Sequence, residues 1–325
     1  MTLRIGINGF GRIGRTILRQ VLAGHPDIEV ALINDIAEVA LCAHLFGYDS
    51  VFGPYPGAVT VQGDVLVVDG RRIRFVSDSD LSKTDLSGID LWLECAGHAK
   101  TRDIATRGLQ AGARRVLISG PSPAADETVV LGANEAALAD QKIISNASCT
   151  TNALAPLVRV LDEAFGVDAA HMTTIHCYTT SQPMIDAPRG DFARSRAGAL
   201  SMVPTTTSAT EMVKVVLPHL RERLTGAAVR VPVASVSAID LTATLKTDVT
   251  VAGLNDMLSR AAPGIIGVTD LPLVSSDLRS RPESLIVATP ETMATTPNQV
   301  RIFGWYDNEW GFSARMIDMA RRMAC

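Results

Sequence analysis

The sequence has little of several things that would mark a special class of protein. Its five cysteines (Cys42, Cys95, Cys149, Cys177 and Cys325) are an odd number, scattered and without CxxC spacing. That pattern argues against a disulfide frame or a metal site and for reduced thiols in a cytoplasmic protein. Neither sign of charge prevails, since 30 basic against 34 acidic residues leave a formal −4. A dedicated nucleic-acid partner, which needs a basic face, is therefore not expected. No apolar run reaches the length of a membrane span, so no membrane partner is expected either. Met1-Thr2-Leu3-Arg4 leads straight into a strand-like segment, without the layout of a signal peptide. Internal repeats and low-complexity tracts are also lacking.

What is there reads as a globular chain of two domains. The 325 residues are 47 % hydrophobic and 20 % charged, long for one core and comfortable for two. Over residues 1–148 short apolar runs alternate with amphipathic stretches. Strands are expected at Arg4–Asn8, Glu29–Ile33, Asp90–Cys95, Val116–Ser119 and Ile143–Asn146, a hairpin at Val65–Val68 and Ile73–Val76, and a helix at Arg15–Leu22. Strands interleaved with helices predict an α/β unit, a Rossmann-type doubly wound parallel sheet. From Ser148 the texture changes. A helix opens near Cys149, with Leu154, Leu157, Val158, Leu161 and Phe165 at helical spacing. Strand-like segments at Met172–Tyr178, Val229–Val233, Ser235–Lys246 and Val300–Tyr306 predict an α+β domain over 149–312, built on a mixed or antiparallel sheet. A last helix, Ser313–Met323, is expected to pack back on the first domain, so that 313–325 joins 1–148. The polar stretch from Thr179 to Val203 is long for a compact domain and reads as functional.

Gly9-Phe10-Gly11-Arg12-Ile13-Gly14 follows the first strand and precedes the first helix. There, Gly9 allows a tight turn, Gly11 lets the backbone approach a pyrophosphate, and Gly14 lets helix and strand pack closely. The helix N-terminus offers free N–H groups to the phosphates. Asp35, 21 residues beyond Gly14, stands where a carboxylate accepts from the adenosine ribose. Its charge would repel a 2′-phosphate, which favours NAD over NADP. The competing reading is a structural glycine turn and a surface aspartate.

Cys149, in Ser148-Cys149-Thr150-Thr151-Asn152, heads the second domain's first helix, where the helix N-terminus lowers a thiol's pKa. His176, in Thr173-Thr174-Ile175-His176, is a candidate ion-pair and acid–base partner. A buried structural thiol and a core or surface histidine are the alternatives, and spacing alone does not bring the two together.

These motifs resemble the glyceraldehyde-3-phosphate dehydrogenase family over essentially the whole chain. The matching stretches are Ile7–Arg15, Ser145-Asn146-Ala147-Ser148-Cys149-Thr150-Thr151-Asn152, Arg230-Val231-Pro232 and Trp305-Tyr306-Asp307-Asn308-Glu309-Trp310-Gly311. The resemblance implies oxidation of glyceraldehyde 3-phosphate to 1,3-bisphosphoglycerate with NAD and inorganic phosphate, in a homotetramer. Cys149 would form a hemithioacetal and then a thioester, with His176 moving the proton. Asn8, Gly9, Gly11, Arg12, Ile13, Gly14, Asp35 and Ser119 would lie on the cofactor side, and Asn308 would orient the nicotinamide carboxamide. Thr179, Ser181 and Arg230 would hold the substrate's phosphate. Ser148, Thr150, Thr207 and Ser208, with Arg194 close by, would lie near the attacking phosphate.

The chain departs from the family pattern at several places. Ser208 replaces a usual glycine, its hydroxyl adding a hydrogen bond to the phosphate or crowding it; Glu211 replaces a common lysine, and its carboxylate, if close, would weaken anion binding; Ala153 replaces a frequent second cysteine. Ala96-Gly97-His98-Ala99, Phe52 and Pro54 also differ, and Ala187 beside Pro188 leaves room for residual NADP use. Three alternatives stay open: an erythrose-4-phosphate dehydrogenase, against which Thr179 counts and towards which Trp310-Gly311-Phe312 leans; a variant using arsenate as the attacking anion; and a non-catalytic NAD-binding regulatory protein, against which the intact Cys149, His176 and Asn308 count.

Overall fold

In the computed structural model, which describes residues 2–324, the chain divides into two units. The first comprises residues 2–129, 136–147 and 313–324, the second 130–135 and 148–312.

Among the described residues, nine strands of the first unit form one sheet. Their order is Glu127–Thr128, Ile143–Ser145, Arg115–Ile118, Leu91–Glu94, Leu3–Asn8, Ile28–Asn34, Arg71–Val76, Val65–Val68 and Val59–Gln62. Pairing is parallel as far as Arg71–Val76 and antiparallel in the last three strands. Parallel strands are covered on both faces, and the side chains of Ile5, Ile7, Ile33, Leu91, Trp92 and Leu93 are accordingly buried. Leu3–Asn8 sits mid-sheet, with Ile28–Asn34 on one side and Leu91–Glu94 on the other. The chain thus reverses direction across the sheet here, and such a switch point leaves a crevice at the strands' carboxyl ends.

The first helix, Arg12–Gly24, begins three residues before the expected Arg15. Gly14 consequently lies in its first turn, where an added Cβ would stand 2.3 Å from the Gly9 carbonyl oxygen. The closing helix, Trp310–Ala324, joins this unit from Ser313 onward. Arg115 donates to the Met323 carbonyl at 2.6 Å, and Arg321 pairs with Asp27 at 2.7 Å.

The second unit holds a mixed eight-stranded sheet among the described residues. Its order is Val203–Thr205, Leu224–Val231, Val167–Cys177, Ser237–Leu245, Gln299–Tyr306, Leu285–Ala288 and Ile266–Thr269, with Met293–Thr296 paired to Gln299–Tyr306. The Cys149–Phe165 helix packs on this sheet through Leu154, Leu157, Val158 and Leu161, all fully buried. Two expected strands shift: Val229–Val233 becomes Leu224–Val231, and Met172–Tyr178 starts earlier and becomes Val167–Cys177. Helices at Val39–Gly47, Arg102–Gln110, Ala209–Val216 and Val251–Arg260 have no counterpart in the sequence reading.

Candidate active site

The crevice of the first unit is a cavity of about 480 Å³ lined by Asn8, Gly9, Gly11, Asn34, Asp35, Glu94, Cys95 and His98 among others. Gly9 takes φ +86°, and a Cβ there would meet the Ala96 backbone at 2.6 Å. A Cβ on Gly11 would meet nothing within 4 Å. The motif therefore folds tightly at its first glycine and leaves its second open to a bound group. Asp35 accepts from the backbone N–H of Phe10 (2.7 Å) and Ala37 (2.9 Å). Those bonds hold its carboxylate at the cavity wall, beside the motif.

Sequence reasoning missed the polar network beneath. Asn34 donates to Asn8 at 2.7 Å, and Asn8 donates to Glu94 at 2.7 Å. Burial raises the Glu94 carboxyl pKa. A carboxylate closing an otherwise apolar strand was the available signal. Ser119 follows the Arg115–Ile118 strand, and its N–H donates to the Glu94 carbonyl at 3.0 Å. The Arg12 side chain turns to Asp49 and lies over the Phe52 ring. Phe52, a departure from the family pattern, thus packs against a motif residue.

In the second unit Cys149 is the first residue of its helix. Ser148 caps that helix, its Oγ accepting from Thr151 N at 3.1 Å. His176, buried near the end of the Val167–Cys177 strand, places Nε2 3.8 Å from Cys149 Sγ. Its neighbour across the parallel pairing is Arg230. The guanidinium lies 2.5 Å from His176 Nδ1 and donates to the Cys177 carbonyl at 3.0 Å.

Electrostatics bear on one expectation. Burial pushes the Cys149 thiol up, against weaker opposing effects of Thr150 and the Arg230 charge. Burial, and then Arg230, push His176 down to about 4. Desolvation therefore opposes the ion pair expected of Cys149 and His176, while the helix N-terminus and the Arg230 charge favour the thiolate.

The anion residues fall into groups. Thr179 and Ser181 share a hydrogen bond at 2.9 Å on an exposed stretch. Arg194 reaches Thr205 (2.6 Å) and Thr206 (2.9 Å). Thr207 accepts from Ala209 N at 3.1 Å, whereas Ser208 is exposed and makes no capping bond with its side chain. Thr150 is the exception among the expected phosphate residues. Its buried hydroxyl bonds Tyr306 at 2.9 Å, and Tyr306 also meets Thr174 at 2.8 Å. This hydroxyl is a member of an internal network. Glu211 is answered by Lys214 at 2.8 Å, so the carboxylate brings its own cation.

Asn308 is buried in a loop folded around Asp307, whose carboxylate accepts from Ser280, Glu309 and Trp310 N–H groups at 2.8–3.0 Å. Cys177 Sγ donates to Asn308 Oδ1 at 3.2 Å.

A glycine-rich dinucleotide crevice in one unit and a cysteine–histidine pair in the other define a nicotinamide-dependent dehydrogenase of the cysteine type. Residues 3–102 match the family profile "Glyceraldehyde 3-phosphate dehydrogenase, NAD binding domain", and residues 148–308 match the corresponding C-terminal domain. The chain is 45 % identical to the glyceraldehyde-3-phosphate dehydrogenase of Cereibacter sphaeroides over 329 residues, 99 % of each chain. It is 45 % identical to that of Pseudomonas aeruginosa over 332 residues and 42 % identical to that of Geobacillus stearothermophilus over 333, covering 100 % of this chain and 99 % of each relative. The chain belongs to the glyceraldehyde-3-phosphate dehydrogenase family.

Proposed function

We propose that this chain oxidises glyceraldehyde 3-phosphate to 1,3-bisphosphoglycerate with NAD and inorganic phosphate, through a thioester on Cys149. The observation that carries the reading is the Cys149–His176 pair at 3.8 Å, at the head of a buried helix in a chain of this family. Asn8, Gly9, Gly11, Arg12, Ile13, Gly14, Asp35 and Ser119 hold NAD, and Asn308 orients its carboxamide. Bound NAD supplies the hydride acceptor.

The protein's own residues handle the sulfur and the protons. Cys149 Sγ bonds the aldehyde carbon while its proton passes to His176 Nε2 and on to the new hydroxyl. His176 then takes that hydroxyl proton as the carbon loses its hydride, which leaves a thioester. Inorganic phosphate attacks the thioester carbon, a C–O bond replaces the C–S bond, and the proton on His176 returns to sulfur. The Cys149 backbone N–H and His176 stabilise the oxyanion of each addition.

His176 Nδ1 can accept from Arg230 or donate to the Cys177 carbonyl (2.8 Å), but not both at once. Drawing Arg230 onto the substrate's phosphate, with Thr179 and Ser181, frees Nδ1 to donate and leaves Nε2 bare to act as base. Arg194, Thr207, Ser208 and Ser148 receive the attacking phosphate. Thr150 acts one step removed, through Tyr306.

The same reading makes the protein a cytoplasmic homotetramer. Free thiols at Cys42, Cys95, Cys149 and Cys177 fit a reducing compartment. Met184, Ile185, Phe192, Leu200 and Met202 are 74–100 % exposed along one segment, a patch suited to a subunit interface. Nothing in the site favours a tetrose phosphate, arsenate or a non-catalytic role. Steady-state NADH formation from the triose and the tetrose phosphate, each with phosphate and with arsenate, tests the substrate: the triose with phosphate should give the highest kcat/KM, and preference for the tetrose would overturn the reading.

A further inference from the structure

We infer that Cys177 is a positioning residue for the cofactor: by donating to Asn308 Oδ1, its thiol fixes which end of that amide is presented to the nicotinamide carboxamide. The inference rests on the role given above to Asn308. A side-chain amide has an acceptor end and a donor end that exchange on a half-turn. With Sγ 3.2 Å from Oδ1, the donor end, Nδ2, is left to face a carbonyl oxygen, and no described residue accepts from it. The flipped amide would set two N–H donors against an S–H donor, leaving the buried Oδ1 elsewhere without this partner.

The donor is well fixed. Cys177 is 1 % exposed, and its own N–H donates to Ser237 Oγ at 3.1 Å, which locks the strand end that carries it. Burial pushes the thiol up to about 12, so it keeps its proton at any working pH. Cys177 also directly follows His176, so one strand end would carry both the proton-handling group and the support of the cofactor-orienting amide.

The test uses the full-length enzyme with Cys177→Ala, Cys177→Ser, Asn308→Ala and the double Ala variant. Readouts are the Michaelis constants for NAD and aldehyde, the unfolding midpoint, and the face of the ring that receives deuterium from C1-deuterated glyceraldehyde 3-phosphate. Loss of one hydrogen bond should raise the constant for NAD about two- to tenfold in Cys177→Ala. The same variant should send a measurable fraction of deuterium to the wrong face, with the constant for aldehyde unchanged. Cys177→Ser, which keeps a donor, should restore both, and the double variant should be no worse than Asn308→Ala. If Asn308→Ala impairs cofactor kinetics while Cys177→Ala matches the wild type, the inference is wrong and the Asn308 reading stands. If Asn308→Ala changes nothing, the Asn308 reading fails and takes the inference with it. Equal losses towards NAD and aldehyde with a lowered midpoint would mean that Cys177 only supports packing.

Discussion

His176 is where the chemistry is most finely set. The folded chain holds its pKa near 4, against 6.5 for the free side chain. Between those values the unfolded chain binds a proton that the folded chain refuses, so stability is full above about 6.5 and falls as pH drops towards 4. Arg230→Gln removes one cause of the depression, and thermal midpoints measured against pH should then fall less steeply across that window. The same change leaves the substrate's phosphate without a charged partner worth roughly 1.5–3 kcal/mol. The aldehyde's Michaelis constant should rise about ten- to a hundredfold, and an unchanged constant would remove Arg230 from the substrate site. Ser208→Gly should behave differently, altering the constant for inorganic phosphate and sparing the aldehyde; the opposite pattern would mean that the two anion groups are interchanged. The residue types of the site were legible in the motifs, but the desolvation acting on them was not. Position at a helix head predicts a depressed Cys149 pKa, whereas the desolvation that raises it belongs to the folded surroundings and not to the motif.

Elements decide how the cofactor is reached. Gly11 and Gly14 belong to one motif and sit two different ways. Gly14→Ala puts a Cβ 2.3 Å from the Gly9 carbonyl, so the Arg12–Gly24 helix must shift away from its strand. That overpacking should cost about 1–3 kcal/mol of stability and weaken NAD binding as well. Gly11→Ala meets nothing within 4 Å and needs no unusual backbone angle (φ −72°), so the unfolding midpoint should hold while NAD affinity drops. Calorimetry of binding and unfolding separates the two, and equal behaviour would mean that Gly11 does not face the cofactor. Most strands of the first unit were legible because short apolar runs between polar stretches read as buried parallel strands. The Val39–Gly47 helix was not, since its run Val-Ala-Leu-Cys-Ala-His-Leu-Phe-Gly carries no polar face to give a period. Ala209–Val216 hides behind three valines and a threonine, which local propensity assigns to a strand.

At the scale of the whole molecule, the sequence order and the spatial grouping differ. The first unit takes residues 313–324 from the far end of the chain, and Met316, Ile317, Met319 and Ala320 there are buried. Truncation after Phe312 should therefore impair NAD binding although the whole glycine motif remains, and a truncated chain with wild-type affinity would show the helix to be dispensable. The central claim is that one sulfur carries the acyl group, and a single experiment reaches it directly. Enzyme is mixed with NAD and glyceraldehyde 3-phosphate in the absence of inorganic phosphate, NADH is followed from the first turnover, and the quenched protein is mapped by mass spectrometry. The account predicts a burst of about one NADH per active chain, a phosphoglyceroyl adduct on the peptide containing Cys149, and steady turnover once phosphate is added. No burst, or an adduct on any residue other than Cys149, would contradict it.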